Sequence, residues 1–141
     1  MPAPLPPGRA DADFGFALRV YWEDTDAGGI VFYANYLKFF ERARTEWLRS
    51  LGVEQEKLKQ DEGTIFVVSE TAVRYLRPAR LDDWLRVTVL AQDRRQASLT
   101  VHQQCWRDDT LLAEGTIRIG CVDCGTFRPR RIPISILDRI A

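Results

Sequence analysis

The chain has 141 residues, 45% of them hydrophobic and 28% charged, with 20 basic residues against 20 acidic ones. That length suits one domain whose core needs no disulfide staples. Zero net charge and a pI near 6.6 exclude the basic excess of a nucleic-acid binder or a polybasic membrane anchor, and no apolar run approaches the roughly 20 residues of a spanning helix.

Residues 1–13 carry four of the seven prolines and no apolar stretch, so they predict a disordered tail rather than a signal peptide. Residues 14–141 are then the domain, and the chain reads as cytoplasmic. The run FGFALRVYW, Phe14 to Trp22, predicts a first strand. A polar turn, EDTDAGGI, follows with paired glycines at Gly28 and Gly29. From about Tyr36 to Leu51 the apolar residues Tyr36, Phe40, Ala43, Trp47 and Leu51 recur at helical spacing, widened by Leu37, Phe39 and Leu48. Asn35 is placed to cap that helix and Gly52 to end it in the left-handed region.

After a polar helix or loop over residues 53–63, strands are predicted at Phe66 to Leu76, Leu85 to Ala91, Ala97 to Arg107 and Leu111 to Val122. In the last of these Leu111, Ala113, Gly115, Ile117 and Ile119 form the apolar row. Arg107-Asp108-Asp109 makes a turn, and Pro133 to Ile140 predicts a short terminal helix. The order is strand, long helix, four strands. It defines an α+β class, with a mostly antiparallel five-stranded sheet wrapped on one central helix. One helix covers one face of such a sheet, which makes pairing of copies through a free edge the structural expectation.

The chemistry available is narrow. Cys105, Cys121 and Cys124 include a lone C-x-x-C that ends a strand and meets Gly125, where reduced thiols beside a turn are expected. A structural zinc site needs four ligands, and the single His102 supplies neither a metal centre nor a nucleophile motif. No metal or other cofactor is implied, and carboxylates and backbone groups are left to do any catalysis.

The densest signal is YWEDTDAGGIVFYANY, which places Glu23, Asp24 and Asp26 just before the glycines and the buried helix. It can be a solvated turn whose acids favour a helix N-terminus by up to about 1 kcal/mol. Alternatively the helix start faces a cleft, where free N–H groups stabilise an oxyanion and an adjacent carboxylate attacks an acyl carbon or activates water. A D-x-D pair also suits magnesium with a phosphate substrate, but no GxxxxGK[ST] loop accompanies it.

The stretch YWEDTDAGGIVFYANYLKFFERARTEWLRSLG closely resembles the signature of the hotdog-fold acyl-CoA thioesterases, specifically the Tol–Pal-associated group and its relative 4-hydroxybenzoyl-CoA thioesterase. The likeness continues through VVSETAVRYLRPARLDDWLRVTV and so covers nearly everything after the tail. It implies a hotdog fold, a dimer or tetramer with sites at subunit interfaces, and hydrolysis of acyl-CoA to free acid and CoA. Asp26 matches the family's catalytic carboxylate, and the Tyr33 backbone amide matches the group that polarises the thioester carbonyl. Tol–Pal-type members usually carry histidine where Tyr33 stands, whereas the 4-hydroxybenzoyl type carries tyrosine, so the acyl preference is left open.

On the substrate side the candidates are Asn35, otherwise a helix cap, and Arg74 and Arg77, which with Arg80 could meet the phosphates of coenzyme A. Ser69 and Thr71 could line a neighbouring subunit's pocket, and Glu41 with Arg44 reads as a structural ion pair. The resemblance adds peripheral association with envelope or lipid-synthesis proteins, without an integral membrane segment. A non-catalytic acyl-binding hotdog protein of an envelope complex is the alternative. A hydratase-type lyase would want an Asp–His pair that His102 is badly placed to provide.

Overall fold

A computed structural model describes residues 14–140; the expected tail and Ala141 lie outside the described residues. The strands are β1 (Phe14–Arg19), β2 (Thr64–Tyr75), β3 (Trp84–Arg94), β4 (Ser98–Arg107) and β5 (Thr110–Asp123). The helices are α1 (Asn35–Ser50), α2 (Gln55–Glu62) and α3 (Ile134–Leu137), and a short 3₁₀ turn occupies Trp22–Asp24. Every strand pair is antiparallel, in the spatial order β1-β3-β4-β5-β2. The short β1 and the twelve-residue β2 are therefore the edges.

Period-two alternation decides which face is core. Val87 and Val89 of β3, Val101 and Cys105 of β4, and Ile117 and Ile119 of β5 point inward and are buried in one cluster with Phe39, Phe40, Ala43 and Trp47 of α1. Each such large side chain contributes about 1.5–3 kcal/mol of burial. The helix packs over β1 and β3, so its weight sits on the half of the sheet away from β2. His102 falls on the opposite face, where Nε2 stands 3.3 Å from Glu114 Oε1.

The strand periodicity is legible in the sequence except where a bulge intervenes. The predicted apolar row starts at Leu111, yet it is Leu112 that is fully buried. The register slips between Cys105 and Trp106, so that Cys105 faces Ala113 while Trp106 faces Leu111, and the row changes side at that point. Leu112 O then accepts the N–H groups of both Leu76 and Arg77, pinning the end of β2.

Helix α1 begins one residue earlier than its apolar stripe, with Ala34 as cap in place of the predicted Asn35. Gly52 does terminate it at φ 82°. A Cβ there would be strained in that conformation and would also meet Arg139 Nη1 at 2.8 Å, the group that caps Leu51 O. At the β4–β5 hairpin Asp108 takes φ 50°, which a short polar side chain tolerates.

All three cysteines are free thiols, and burial pushes Cys105 up to about 12. Cys121 is also raised by burial, whereas Cys124 is partly exposed. Because the thiolate is the reactive form, iodoacetamide at pH 8 should label Cys124 in the native protein and spare Cys105 and Cys121. Intact mass should show one adduct per chain, rising to three after denaturation.

Candidate active site

The three acids of the polar turn have different fates. Asp24 is 6% exposed; its Oδ2 accepts the Tyr21 N–H at 2.8 Å, closing the 3₁₀ turn. Its carbonyl accepts the N–H of Phe32 at 3.0 Å and the side-chain amide of Asn35 at 2.9 Å. Glu23 is exposed. Asp26 points outward from a tight hairpin closed by the Thr25–Val31 bridge. Its N–H donates to Ile30 O, its carbonyl accepts from Gly29 N–H, and its Oδ1 accepts from Gly28 N–H at 2.8 Å. Gly29 sits at φ 78°, which the turn requires and a side chain would resist. One carboxylate oxygen of Asp26 is thus held, and Oδ2 has no hydrogen-bond partner among the described residues.

The same hairpin leads into α1 through Tyr33 and Ala34. Asn35 N–H returns to Phe32 O, but the N–H groups of Tyr33 and Ala34 have no acceptor among the described residues. They precede a sixteen-residue helix, whose dipole makes this end electropositive. The free amides and the carboxylate are carried by one small unit, tied at its base to Asp24.

Beside the amides lies a slot of about 270 Å³ lined by Tyr33, Tyr36, Tyr75, Arg77 and neighbouring apolar residues. Tyr75 reaches it from the end of β2, with its ring 6.0 Å from that of Tyr33 and 5.4 Å from that of Tyr36. Burial raises the pKa of Tyr36 and of Tyr75, helped in the second case by Tyr33. Both phenols are therefore protonated at neutral pH, so these rings offer donors and apolar faces rather than bases.

Of the other residues singled out from sequence, Arg77 lines the slot and Asn35 ties the acid turn to the helix start. Arg74 does not join them. Successive strand residues face opposite ways, and Arg74 lies on the outer face, 3.9 Å from Glu114, while Tyr75 turns inward. Arg44 pairs with Gln103, at 2.9 Å, rather than with Glu41. Ser69 and Thr71 are exposed on the edge strand. Among the described residues no group of three or more His, Cys, Asp or Glu is arranged to hold a metal.

Sequence reasoning treated Tyr36 only as one apolar position. Its hydroxyl accepts the buried N–H of Ala79 at 3.0 Å. Ala79 O in turn accepts from Val31 N–H at 2.9 Å, and Arg80 bridges Ile30. The segment after β2 therefore clamps the hairpin bearing Asp26 against the helix. The available signal was chemical: a tyrosine on a buried stripe needs a partner for its hydroxyl.

An exposed carboxylate beside unsatisfied amides at the start of the central helix, on a hotdog sheet, is an arrangement suited to acyl transfer without histidine. The chain belongs to the Thioesterase-like superfamily, whose model matches residues 20–140. It is 42% identical over 123 residues to an acyl-CoA thioesterase of Haemophilus influenzae, spanning 87% of this chain and 90% of that protein. It is 43% identical over 125 residues to an acyl-CoA thioester hydrolase of Escherichia coli, spanning 88% and 92%. The structure superposes on a probable thioesterase from Bartonella henselae with a TM-score of 0.83 and 32% identity, covering 86% of this chain and all of that one.

Removing the Tyr36 hydroxyl leaves a buried amide unsatisfied, a loss of about 1–3 kcal/mol. Tyr36→Phe should lower the thermal midpoint accordingly and speed amide exchange at Ala79 and Val31, measured by NMR. Unchanged exchange at both sites would contradict the clamp.

Proposed function

We propose that this chain hydrolyses acyl-CoA thioesters to the free acid and CoA, with Asp26 as the catalytic carboxylate and the Tyr33 N–H as the oxyanion donor. The observation that carries this is the free Oδ2 of Asp26 on the same hairpin as the unsatisfied Tyr33 and Ala34 amides. Close likeness to relatives named for acyl-CoA hydrolysis supports the substrate class. Asp26 either adds to the thioester carbon or takes a proton from a water that does. In both routes negative charge grows on the carbonyl oxygen, where preorganised amides at a helix start are most effective. The C–S bond then breaks, and the CoA thiolate takes up a proton; in the first route water then hydrolyses the mixed anhydride left on Asp26, which releases the acid and restores the carboxylate. Arg77, at the mouth of the slot, contacts the anionic part of CoA, and Asn35 acts by holding Asp24 to the helix rather than by touching substrate.

The active form is a homodimer joined along β2. This edge strand pairs with β5 on one side only, and Val68 in its middle is 49% exposed. An unpaired edge of that length invites another strand. A cytoplasmic setting suits a CoA substrate and three free thiols, and among the described residues no helix is long and apolar enough to cross a membrane.

Thiol release from a panel of aliphatic and aromatic acyl-CoAs tests the activity. Asp26→Asn should lower kcat by about a thousandfold with the fold intact, whereas Asp24→Asn should cost about 1–2 kcal/mol of stability and less than tenfold in rate. Equal loss of rate in the two variants would sink the role of Asp26, and acyl-CoA binding without turnover would make the chain a binding protein.

A charge set into the β2 edge should separate the copies. Val68→Lys is expected to shift the mass measured by light scattering from dimer to monomer. A dimer that persists would place the interface elsewhere.

A further inference from the structure

Arg77 is the only cation among the residues lining the slot beside Tyr33. No described carboxylate pairs with it, so what aims its side chain is the backbone it stands on. That backbone is held on both sides of the residue. Arg77 N–H donates to Leu112 O at 3.0 Å, and the following Pro78 restricts Arg77 to extended conformations. Proline has no N–H, which leaves the Pro78 carbonyl as the one backbone group by which that residue can be tied.

The tie comes from the end of β4. Arg107 Nη1 donates to Pro78 O at 3.1 Å and to Asp83 Oδ2 at 2.8 Å. The same Oδ2 accepts the Arg80 N–H at 2.8 Å. Asp83 O accepts the Val20 N–H at 2.9 Å, and Asp82 N–H returns to Val20 O at 3.0 Å. Asp82 is held there at φ 69°, a left-handed backbone that persists in a non-glycine residue only where its neighbours fix it. One guanidinium thus anchors both ends of the Pro78–Asp83 loop. The Arg107 and Asp83 side chains are 30% and 22% exposed, so salt screens their attraction less than that of a fully solvated pair. Every one of these contacts lies within one protomer and none uses a residue of β2, so pairing of copies along that strand leaves the arrangement as it is.

We infer that Arg107 is a positioning residue for coenzyme A: through the Pro78 carbonyl it sets Arg77 toward the anionic part of the ligand. Arg107 is not among the residues lining the slot, so it acts without touching substrate. The inference rests on the contact between Arg77 and CoA proposed above and adds what holds that contact in place. The hairpin bearing Asp26 has its own ties, from Val31 to Ala79 and from Ala79 to the Tyr36 hydroxyl. Loss of Arg107 therefore reaches the hold on CoA rather than the reacting groups.

The acyl group turned over fastest in the panel above, presented as its CoA thioester and as its N-acetylcysteamine thioester, separates positioning from folding. The second substrate lacks the nucleotide and its phosphates. Arg107→Met should raise KM for the CoA thioester about tenfold, with kcat changed by less than about threefold. For the truncated thioester kcat/KM should change by less than about twofold. Arg107→Lys, which keeps a charged donor, should recover part of the loss. Calorimetric titration with free CoA should show about the same tenfold weakening for Arg107→Met and for Arg77→Met, and no further weakening when the two are combined. Circular dichroism checks each fold; if Arg107→Met does not fold, Arg107→Lys takes its place in that cycle. Equal losses on the two thioesters, or additive losses of CoA affinity, overturn the role of Arg107. If the unaltered chain releases thiol from no thioester, the hydrolysis falls while the CoA cycle still decides Arg107. If it does not bind CoA, the Arg77 contact falls and this inference with it.

Discussion

The structure of the candidate site hangs on one buried node, the backbone and side chain of Asp24. Its carboxylate closes the 3₁₀ turn onto Tyr21, and its carbonyl receives both Phe32 N–H and the Asn35 amide. Those bonds bind the chain that leaves the sheet to the chain that enters the helix. Without them the hairpin from Thr25 to Val31 would be an ordinary surface loop, free to move relative to α1. With them Asp26 and the Tyr33 amide share one rigid base, which is what preorganised electrostatic stabilisation requires.

The clamp from the other side is supplied by the sheet. The connection after β2 uses Ala79 as donor to the Tyr36 hydroxyl and as acceptor for Val31, while Leu112 fixes the last turn of β2 through two amides. Hence the bulge that moves Leu112 inward also sets where Tyr75 and Arg77 stand. The asymmetric seat of α1 over β1 and β3 matters in the same way. It leaves room beside the end of β2 for the tyrosine-lined slot.

The element order, the central helix and the antiparallel sheet were legible because their signals are periodic and local, as in the stripe from Tyr36 to Leu48 or the alternation from Val87 to Ala91. Asp26 and Tyr33 were singled out through resemblance to a long motif. What escaped was whatever depends on register or on partners distant in sequence. The bulge between Cys105 and Trp106 leaves no mark in composition. Arg44 and Glu41 are three apart, a spacing that allows an ion pair, yet Gln103 lies fifty-nine positions from Arg44 and wins the guanidinium. Arg74 and Arg77 look like one basic cluster along the chain, but the pleat of β2 sends Arg74 to Glu114 on the far face. The Asn35 amide serves the Asp24 carbonyl instead of a helix N–H because the cap position had already fallen to Ala34.

Asp24 and Asp26 are chemically the same residue two positions apart, and geometry alone buries one and leaves the other open at the surface. The 3₁₀ turn rolls Asp24 inward, where a buried carboxylate survives only by accepting a hydrogen bond from the backbone. The chain then turns extended at Thr25 and throws the next acid outward. Burial of Asp26 would have required partners for both of its oxygens. Full exposure without the Gly28 bond would have left its orientation undefined. A carboxylate with one oxygen tied and one open, set by a turn that only glycine at position 29 closes without strain, is the middle case. With the only histidine of the chain on the far face of the sheet, that middle case leaves one open carboxylate oxygen and two free backbone amides as the groups the turn presents at the start of α1.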